Sequence, residues 1–346
     1  MTDRPPAGTA GARLLFTKGA SSSENPGNDF IDLDMMTLAP IAGGNLLRNP
    51  GFEEGLQGWN AVETEVSFRN SFEGAATAGM SDPFNMLWQD VPLAGIPAGS
   101  AFLFGFAAQS SFPGNFQVQV QWRGAAGNSI GQPGFVMVIG GALVEHVDYY
   151  SYLALTGPSP VGAATARVLF TASGAPNLNI FIDAVLFARA GSPNLVQNPG
   201  FENGLTNWQG GNVSAGPSDA AYEGERRARI EADGGFLAQN IPLEGAAGRC
   251  FLLNFAAGFT DAESPLPGTL LAEVIWFDRS GQEVGNGLSL VVQNVEVTET
   301  RWYNYTGVTE PAPPGTTVAR ISFTKGGSDE ATGIIDFDLV EFGRLV

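Results

Sequence analysis

Asn45-Leu46-Leu47-Arg48-Asn49-Pro50-Gly51-Phe52-Glu53-Glu54-Gly55-Leu56-Gln57-Gly58-Trp59 returns as Asn194-Leu195-Val196-Gln197-Asn198-Pro199-Gly200-Phe201-Glu202-Asn203-Gly204-Leu205-Thr206-Asn207-Trp208, an offset of 149 residues. The match runs on. Leu87-Trp88-Gln89-Asp90-Val91-Pro92-Leu93 is answered by Leu237-Ala238-Gln239-Asn240-Ile241-Pro242-Leu243, and Leu103-Phe104-Gly105-Phe106-Ala107-Ala108 by Leu252-Leu253-Asn254-Phe255-Ala256-Ala257. A repeat this long is a duplicated domain rather than a short structural repeat. The units are 45–190 and 194–346, joined through Ala190-Gly191-Ser192-Pro193. Trp59 and Trp208, and likewise Trp122 and Trp276, hold equal places in both units, so they read as core.

Each unit reads as all-β. Phe116-Gln117-Val118-Gln119-Val120-Gln121-Trp122 alternates apolar and polar residues, the period of a half-buried strand. Turn signals separate such runs, and no helix of three turns stands out. About eight short strands per unit suit a two-sheet sandwich whose inner faces make the core.

Composition narrows the function. The chain has 346 residues, with 17 Lys and Arg against 35 Asp and Glu, for a net charge of −18. That balance disfavours nucleic acid, which needs clustered cations, and anionic membranes. The longest apolar runs are strand-length, well below the ~20 residues of a membrane span. Met1 to Gly8 shows no basic region followed by an apolar one, so no Sec signal is read. A single cysteine, Cys250, excludes an internal disulfide, and in its apolar run it reads as buried and inert. A single histidine, His146, without a nucleophile motif, leaves no catalytic constellation, and no enzyme is expected.

One segment is surplus. The second unit closes with Ala319-Arg320-Ile321-Ser322-Phe323-Thr324-Lys325-Gly326 and then Ile334-Ile335-Asp336-Phe337-Asp338-Leu339-Val340-Glu341-Phe342, and the first closes with 166–171 and 180–187. The N-terminus repeats the pair a third time, as Ala12-Arg13-Leu14-Leu15-Phe16-Thr17-Lys18-Gly19 and Phe30-Ile31-Asp32-Leu33-Asp34-Met35-Met36-Thr37-Leu38. Behind a flexible arm (1–11), residues 12–44 therefore form a strand pair without a body of its own. Burying Leu14, Phe16, Ile31, Leu33 and Met35 is worth roughly 8–12 kcal/mol before entropy, and an isolated hairpin is marginal in water. The segment can cover an edge of its own first domain, dock on another molecule by donor-strand complementation, or stand as a relic of a longer array.

The NPGFE-x-G-L-x-x-W opening and the F-x-I-D-x-V-x-L close resemble the carbohydrate-binding modules of the galactose-binding-like jelly-roll class, the CBM4/9/22 type. The resemblance covers both bodies and implies two tandem jelly-roll β-sandwiches preceded by the N-terminal two-strand segment. It implies a structural calcium held by the opening Glu and the final-strand Asp, here Glu53 with Asp183 and Glu202 with Asp338. Two carboxylates with loop carbonyls suit a cation that wants six to eight hard oxygens. For a sugar ligand the aromatic candidates are Tyr150, Tyr152, Tyr303 and Tyr305, in strand segments that alternate faces. Trp88 aligns with Ala238, so no platform common to both units is expected there.

The leading expectation is a non-enzymatic structural subunit. It would assemble head to tail with itself into a filament, tube or sheath, because a heterologous contact that does not close grows openly. The alternative is a carbohydrate- or surface-binding adhesin with polysaccharide as partner. Either suits an extracellular appendage or particle surface, reached without a Sec leader or after cytoplasmic synthesis and release.

Overall fold

A computed structural model describes residues 44–68, 71–81, 84–110, 114–139, 146–174, 179–218, 221–260, 269–292, 302–326 and 333–346. The arm 1–11 and the surplus pair with Leu14, Phe16, Ile31, Leu33 and Met35 lie outside the described residues.

The first domain consists of β1 (Asn60–Val62), β2 (Thr64–Ser67), β3 (Thr77–Met80), β4 (Met86–Pro92), β5 (Phe102–Ser110), β6 (Gly114–Arg123), β7 (Phe135–Ile139), β8 (His146–Leu155), β9 (Thr165–Gly174) and β10 (Ile180–Arg189). The second repeats the plan with β11 (Gln209–Gly211), β12 (Val213–Pro217), β13 (Arg226–Ile230), β14 (Phe236–Pro242), β15 (Phe251–Thr260), β16 (Thr269–Phe277), β17 (Glu283–Val292), β18 (Trp302–Val308), β19 (Val318–Gly326) and β20 (Ile334–Arg344). No helix occurs among the described residues. Ten strands per domain exceed the expected eight because pieces as short as β1 and β11 are too brief to show a period.

Each domain is a sandwich of two five-stranded antiparallel sheets, with orders β1-β4-β9-β6-β7 (sheet I) and β2-β3-β10-β5-β8 (sheet II), then β11-β14-β19-β16-β17 (sheet III) and β12-β13-β20-β15-β18 (sheet IV). Alternation fills the layers. Phe116, Val118, Val120 and Trp122 point inward from β6 and meet Phe102, Phe104, Phe106 and Phe170. Trp276, Phe255, Phe323 and Phe337 do the same in the second core. Trp59, Trp208, Trp122 and Trp276 are all buried, as their repetition implied. Cys250 departs from its reading. It is half-buried, because it sits just ahead of β15 rather than inside the strand.

The closing pair is not a hairpin. β9 lies between β4 and β6 in one sheet, and β10 lies between β3 and β5 in the other. The second domain treats β19 and β20 the same way. Each pair therefore supplies the central strand of both sheets and ties the layers together.

The opening motif docks on that pair. The Asn45 amide donates to Val185 O at 2.8 Å and accepts from Phe187 N at 3.0 Å. Val185 N reaches Pro50 O, just past a bulge in β10 at which Ala184 adopts a left-handed φ of 49°. Asn49, also left-handed, binds the carbonyl of Gly55, and its own carbonyl receives the Trp59 indole at 3.0 Å. Asn194, Val340, Pro199, Leu339, Asn198 and Trp208 repeat this arrangement.

The domains pack on each other through the outer faces of sheets II and IV. Leu103, Leu155, Leu186 and Ala188 join Leu252 and Leu345 in one buried cluster. The open edge of β8 is capped by side chains of the second domain. Asn304 donates to Ser151 O at 3.1 Å, Asn254 donates to Leu153 O at 2.8 Å, and Leu155 N donates to the Glu341 carboxyl at 2.9 Å. An unpaired sheet edge is sticky, and this one is closed by residue type and spacing.

Glu341 is fully buried there, with Asn254 on its second oxygen and Glu223 the charged group that bears on it. Burial lifts it from the usual value of 4.5 to about 8. The folded protein holds this proton more tightly than the unfolded chain does. The stabilisation is therefore complete below about pH 4.5 and lost as the pH climbs through about 8. Across that window this carboxyl alone should lower stability by about 1.4 kcal/mol per pH unit, and Glu341→Gln should remove that share of the slope, leaving the share of Asp338, Glu223 and Asp183, which burial also raises. Thermal unfolding against pH checks this, and an unchanged slope in the Gln variant would exonerate the carboxyl.

Candidate functional site

The carboxylates of the opening motif and of the last strand converge on one loop in each domain. In the first, Glu53 Oε1 accepts from the backbone N–H groups of Ala75 and Ala76 at 2.8 and 3.0 Å. Asp183 Oδ2 accepts from Phe72 and Glu73 at 2.8 and 3.1 Å. In the second, Glu202 accepts from Glu225 and Arg226, both at 2.9 Å, and Asp338 accepts from Tyr222 and Glu223. The left-handed Gly74 and Gly224 make this possible, since a Cβ at either would strike Glu53 or Glu202.

A third carboxylate per domain, Glu73 or Glu223, escaped the sequence reading. Its signal was available, because Phe72-Glu73-Gly74 and Tyr222-Glu223-Gly224 recur at nearly the motif's own offset. A Cβ on Gly200 would lie 2.8 Å from Glu223 Oε2 and 3.5 Å from Asp338 Oδ1, so both oxygens overhang that glycine. Burial first, and then Glu73, holds Asp183 above the ordinary carboxylate range. Burial pushes Asp338 up strongly, and burial with Glu202 raises Glu223. These hard oxygens match a calcium ion in kind. Among the described residues no group of three or more His, Cys, Asp or Glu side chains is disposed to hold a metal. Main-chain carbonyls would have to complete the shell around Glu53 with Asp183, or Glu202 with Asp338.

The four candidate tyrosines lie at the junction and in the cores. Tyr152 is buried, stacked on Phe106 within its domain and on Tyr222 across the junction. Tyr150 faces its counterpart Tyr303 at 6.0 Å between ring centres. Tyr305 stacks on Phe255, and burial raises its hydroxyl to about 12. The free aromatic surface expected of these rings is largely spent on packing, because the register sets Tyr152 opposite Phe106 and Tyr305 opposite Phe255 on the inner faces of sheets II and IV.

The uncovered face with site-like chemistry belongs to sheet I. Its outward side chains form rows across the strands: Trp88, Leu169, Gln119 and Val136 in one register, Asp90, Arg167 and Gln121 in the next. Gln117 lies in the row on the other side. Trp88 is half-buried, with the Arg167 guanidinium 5.4 Å from its ring centre. Arg167 forks onto Asp90 with two bonds of 2.7 Å. That hydrogen bonding keeps the guanidinium firmly protonated. Arg123 donates to Gln121 at 2.8 Å, and Gln121 donates to Gln119 at 2.6 Å. The result is one indole edged by a relay of planar amide and guanidinium groups, oriented before any ligand arrives. The alternating glutamines were visible in the sequence, but read only as the wet side of a strand.

The second domain varies this face. Ala238 replaces Trp88, Glu273 replaces Gln119, and Phe277 stands where the first domain has Arg123. Arg320 lies 5.1 Å from the Phe277 ring centre and donates to Asn240 at 2.9 Å. With Asp278 and Arg279 these residues line an open cleft of about 400 Å³.

No family model and no curated protein matches the chain. Among solved structures it is similar to the N-terminal CBM22-1-CBM22-2 tandem domain of Paenibacillus barcinonensis Xyn10C, at 14% identity over 88% of this chain and 99% of that one, TM-score 0.35. It is also similar to TmCBM61, solved in complex with β-1,4-galactotriose, at 19% identity over 42% of this chain and 98% of that one, TM-score 0.33. A third similar structure is the enzymatically active domain of tailspike protein 4 of bacteriophage CBA120. Its identity is 22% over 44% of this chain and 21% of that one, with a TM-score of 0.34.

Proposed function

We propose that the chain is a non-catalytic polysaccharide-binding protein, with the open face of sheet I as the binding surface of its first domain. The observation that carries this is Trp88 set among Arg167, Gln117, Gln119 and Gln121 on the outer face of sheet I. The apolar face of a sugar ring stacks on an indole, while its equatorial hydroxyls need planar donors and acceptors at the ring edge. The rows run across four strands, long enough for more than one sugar. Hydrolysis would need a pair of working carboxylates flanking the bond. The one carboxylate described in these rows, Asp90, is locked in its fork with Arg167. Trp88→Ala should cut affinity at least about tenfold, roughly 1.4 kcal/mol, in native gels cast with a panel of soluble polysaccharides. Equal retardation of parent and variant would overturn this surface.

A second reading is self-assembly. It is favoured by the role of the closing pair, since β9 with β10 and β19 with β20 are the central strands of their sandwiches and the sequence carries that pair a third time at 12–38. Deleting residues 1–40 should convert high-order species in sedimentation velocity to monomers. An unchanged profile would end this reading.

Calcium is the proposed structural ion at Glu53 with Asp183 and at Glu202 with Asp338, where it would relieve the crowding of acids that burial and Glu73 or Glu223 impose. Adding calcium should raise the melting temperature of the parent and leave Glu53→Gln/Glu202→Gln unmoved. Indifference of the parent to both calcium and a strong chelator would exclude it.

A further inference from the structure

We infer that the cleft around Arg320 and Phe277 in the second domain binds a sugar carboxylate, the uronate unit of an acidic polysaccharide; this rests on the polysaccharide-binding reading and gives the second domain a ligand class of its own.

The two domains set the same arginine in different company. Arg167 gives its Nε–H and an Nη–H to the two oxygens of Asp90, both at 2.7 Å, so its charge is neutralised within the fold. Arg320 holds the equivalent place in the register, and its neighbour on β14 is Asn240. The Asn240 side-chain carbonyl accepts from Nε at 2.9 Å. The other end of that amide is a donor, where Asp90 has a second acceptor. Among the described residues no acid pairs with Arg320, and its Nη–H groups are left to a ligand. The Phe277 ring lies 5.1 Å from the guanidinium carbon and backs its plane. A guanidinium tied at Nε and backed by a ring presents the end that takes a carboxylate through two parallel N–H bonds. Held in advance, it loses less freedom on binding than a loose surface cation does.

The turn after β16 adds a second cation. Asp278-Arg279-Ser280-Gly281 stands where the first domain has Gly124-Ala125-Ala126-Gly127. Both turns close in the same way, Asp278 N on Gln282 O and Gly124 N on Asn128 O, each at 2.9 Å. In the second domain Asp278 Oδ1 also accepts from Ser280 N, Ser280 Oγ and Gln282 N, at 2.8, 2.6 and 3.0 Å. The acid thereby stiffens the turn that carries Arg279. Arg279 and Arg320 line the cleft together, and Asp278 is the single acid in its lining. Two arginines against one aspartate leave a net charge of +1 there, in a chain of net charge −18. Glu273, on the same face, bonds Ser289 of β17 at 3.3 Å, on the far side of β16 from Arg320. The first domain lacks this arrangement, because Arg123 replaces Phe277 and gives its Nη groups to Gly127 O and Gln121.

Overall charge narrows the ligand further. A strongly acidic molecule repels a dense polyanion, but at physiological salt remote charges are screened beyond about 8 Å. One carboxylate met at close range by two guanidinium groups overcomes that repulsion, whereas sulfates on every ring do not. Spaced uronates are the matching chemistry.

Calorimetric titration of the full chain with oligosaccharides of hyaluronate, alginate and polygalacturonate, each beside its carboxyl-reduced form, tests this. At least one acidic form should bind about tenfold more tightly than its reduced counterpart. Trp88→Ala should keep that preference. Asn240→Asp, which copies the fork of the first domain, should bring the two forms to parity, and Arg320→Gln should do the same. Equal affinity of the parent for acidic and reduced forms would overturn the inference and leave the sheet I surface standing. A preference retained in both Asn240→Asp and Arg320→Gln would overturn the site. A preference lost in those variants, with Trp88→Ala equal to the parent on every reduced polymer, would sustain the cleft and end the sheet I reading. No binding of any form, acidic or reduced, would overturn both.

Discussion

Each sandwich depends on an Asn-Pro-Gly loop seated on a bulge in the central closing strand. The bulge turns Val185 N toward Pro50 O, and Asn45 spans it by binding Val185 O and Phe187 N. Buried backbone groups are costly to leave unpaired, and a bulge leaves them unpaired by construction. The opening motif supplies the missing partners from a site about 140 residues away in the chain. This explains the motif's residues. Asn49 tolerates a left-handed backbone and closes its own loop with its amide. Gly51 leaves room for Glu73 and Asp183. Trp59 seals the end of the core with its indole on Asn49 O. First and last segments of a domain thereby become one unit, held by contacts of long sequence separation.

The junction follows from the same economy of edges. The edges β1 and β11 are three residues long, which is one way of blunting a sheet. The longer β8 is capped by Asn304, Asn254 and Glu341. Because the caps come from the second domain, the pair of domains packs as a unit, and the outer sides of sheets II and IV are taken from solvent. What faces outward is sheet I and sheet III. An open pocket of about 290 Å³ remains at the junction beside Ser151, Tyr152 and Asn304, and the tyrosines chosen by pattern became packing because their register points them at Phe106 and Phe255.

Much of the fold was legible because duplication exposes structure twice. Trp59 with Trp208 and Trp122 with Trp276 could be assigned to core from their matched positions alone. The strand period in β6 named its inward residues without ambiguity. The convergence of Glu53 with Asp183 on one loop was implied by family likeness rather than by spacing, since 130 residues separate them. Three things were not legible. Division of the closing pair between two sheets depends on which neighbours are already present, which local pattern does not encode. Burial of Tyr152 is completed by Tyr222 of the other domain, beyond its stacking on Phe106. The glutamine face gained meaning only when register placed Trp88 and Gln119 in one row.

Duplication also explains where function can differ between halves. Contacts that maintain the sandwich, such as Asn45 with Val185 and Asn194 with Val340, are held in both domains. The outward rows are free to drift, and they have. Trp88 gives way to Ala238, Gln119 to Glu273, and Arg123 to Phe277, while Arg167 and Arg320 keep their place. In each domain that arginine is held by the residue beside it, Asp90 or Asn240, and lies against an aromatic ring taken from a different strand. A fixed cation with a movable ring lets one scaffold present two surfaces. The first domain thus presents a polar relay beside Trp88, and the second an open cleft of about 400 Å³ around Phe277. Under the polysaccharide-binding proposal the two halves would therefore offer a chain different surfaces, Trp88 with its glutamines in one and the Phe277 cleft in the other.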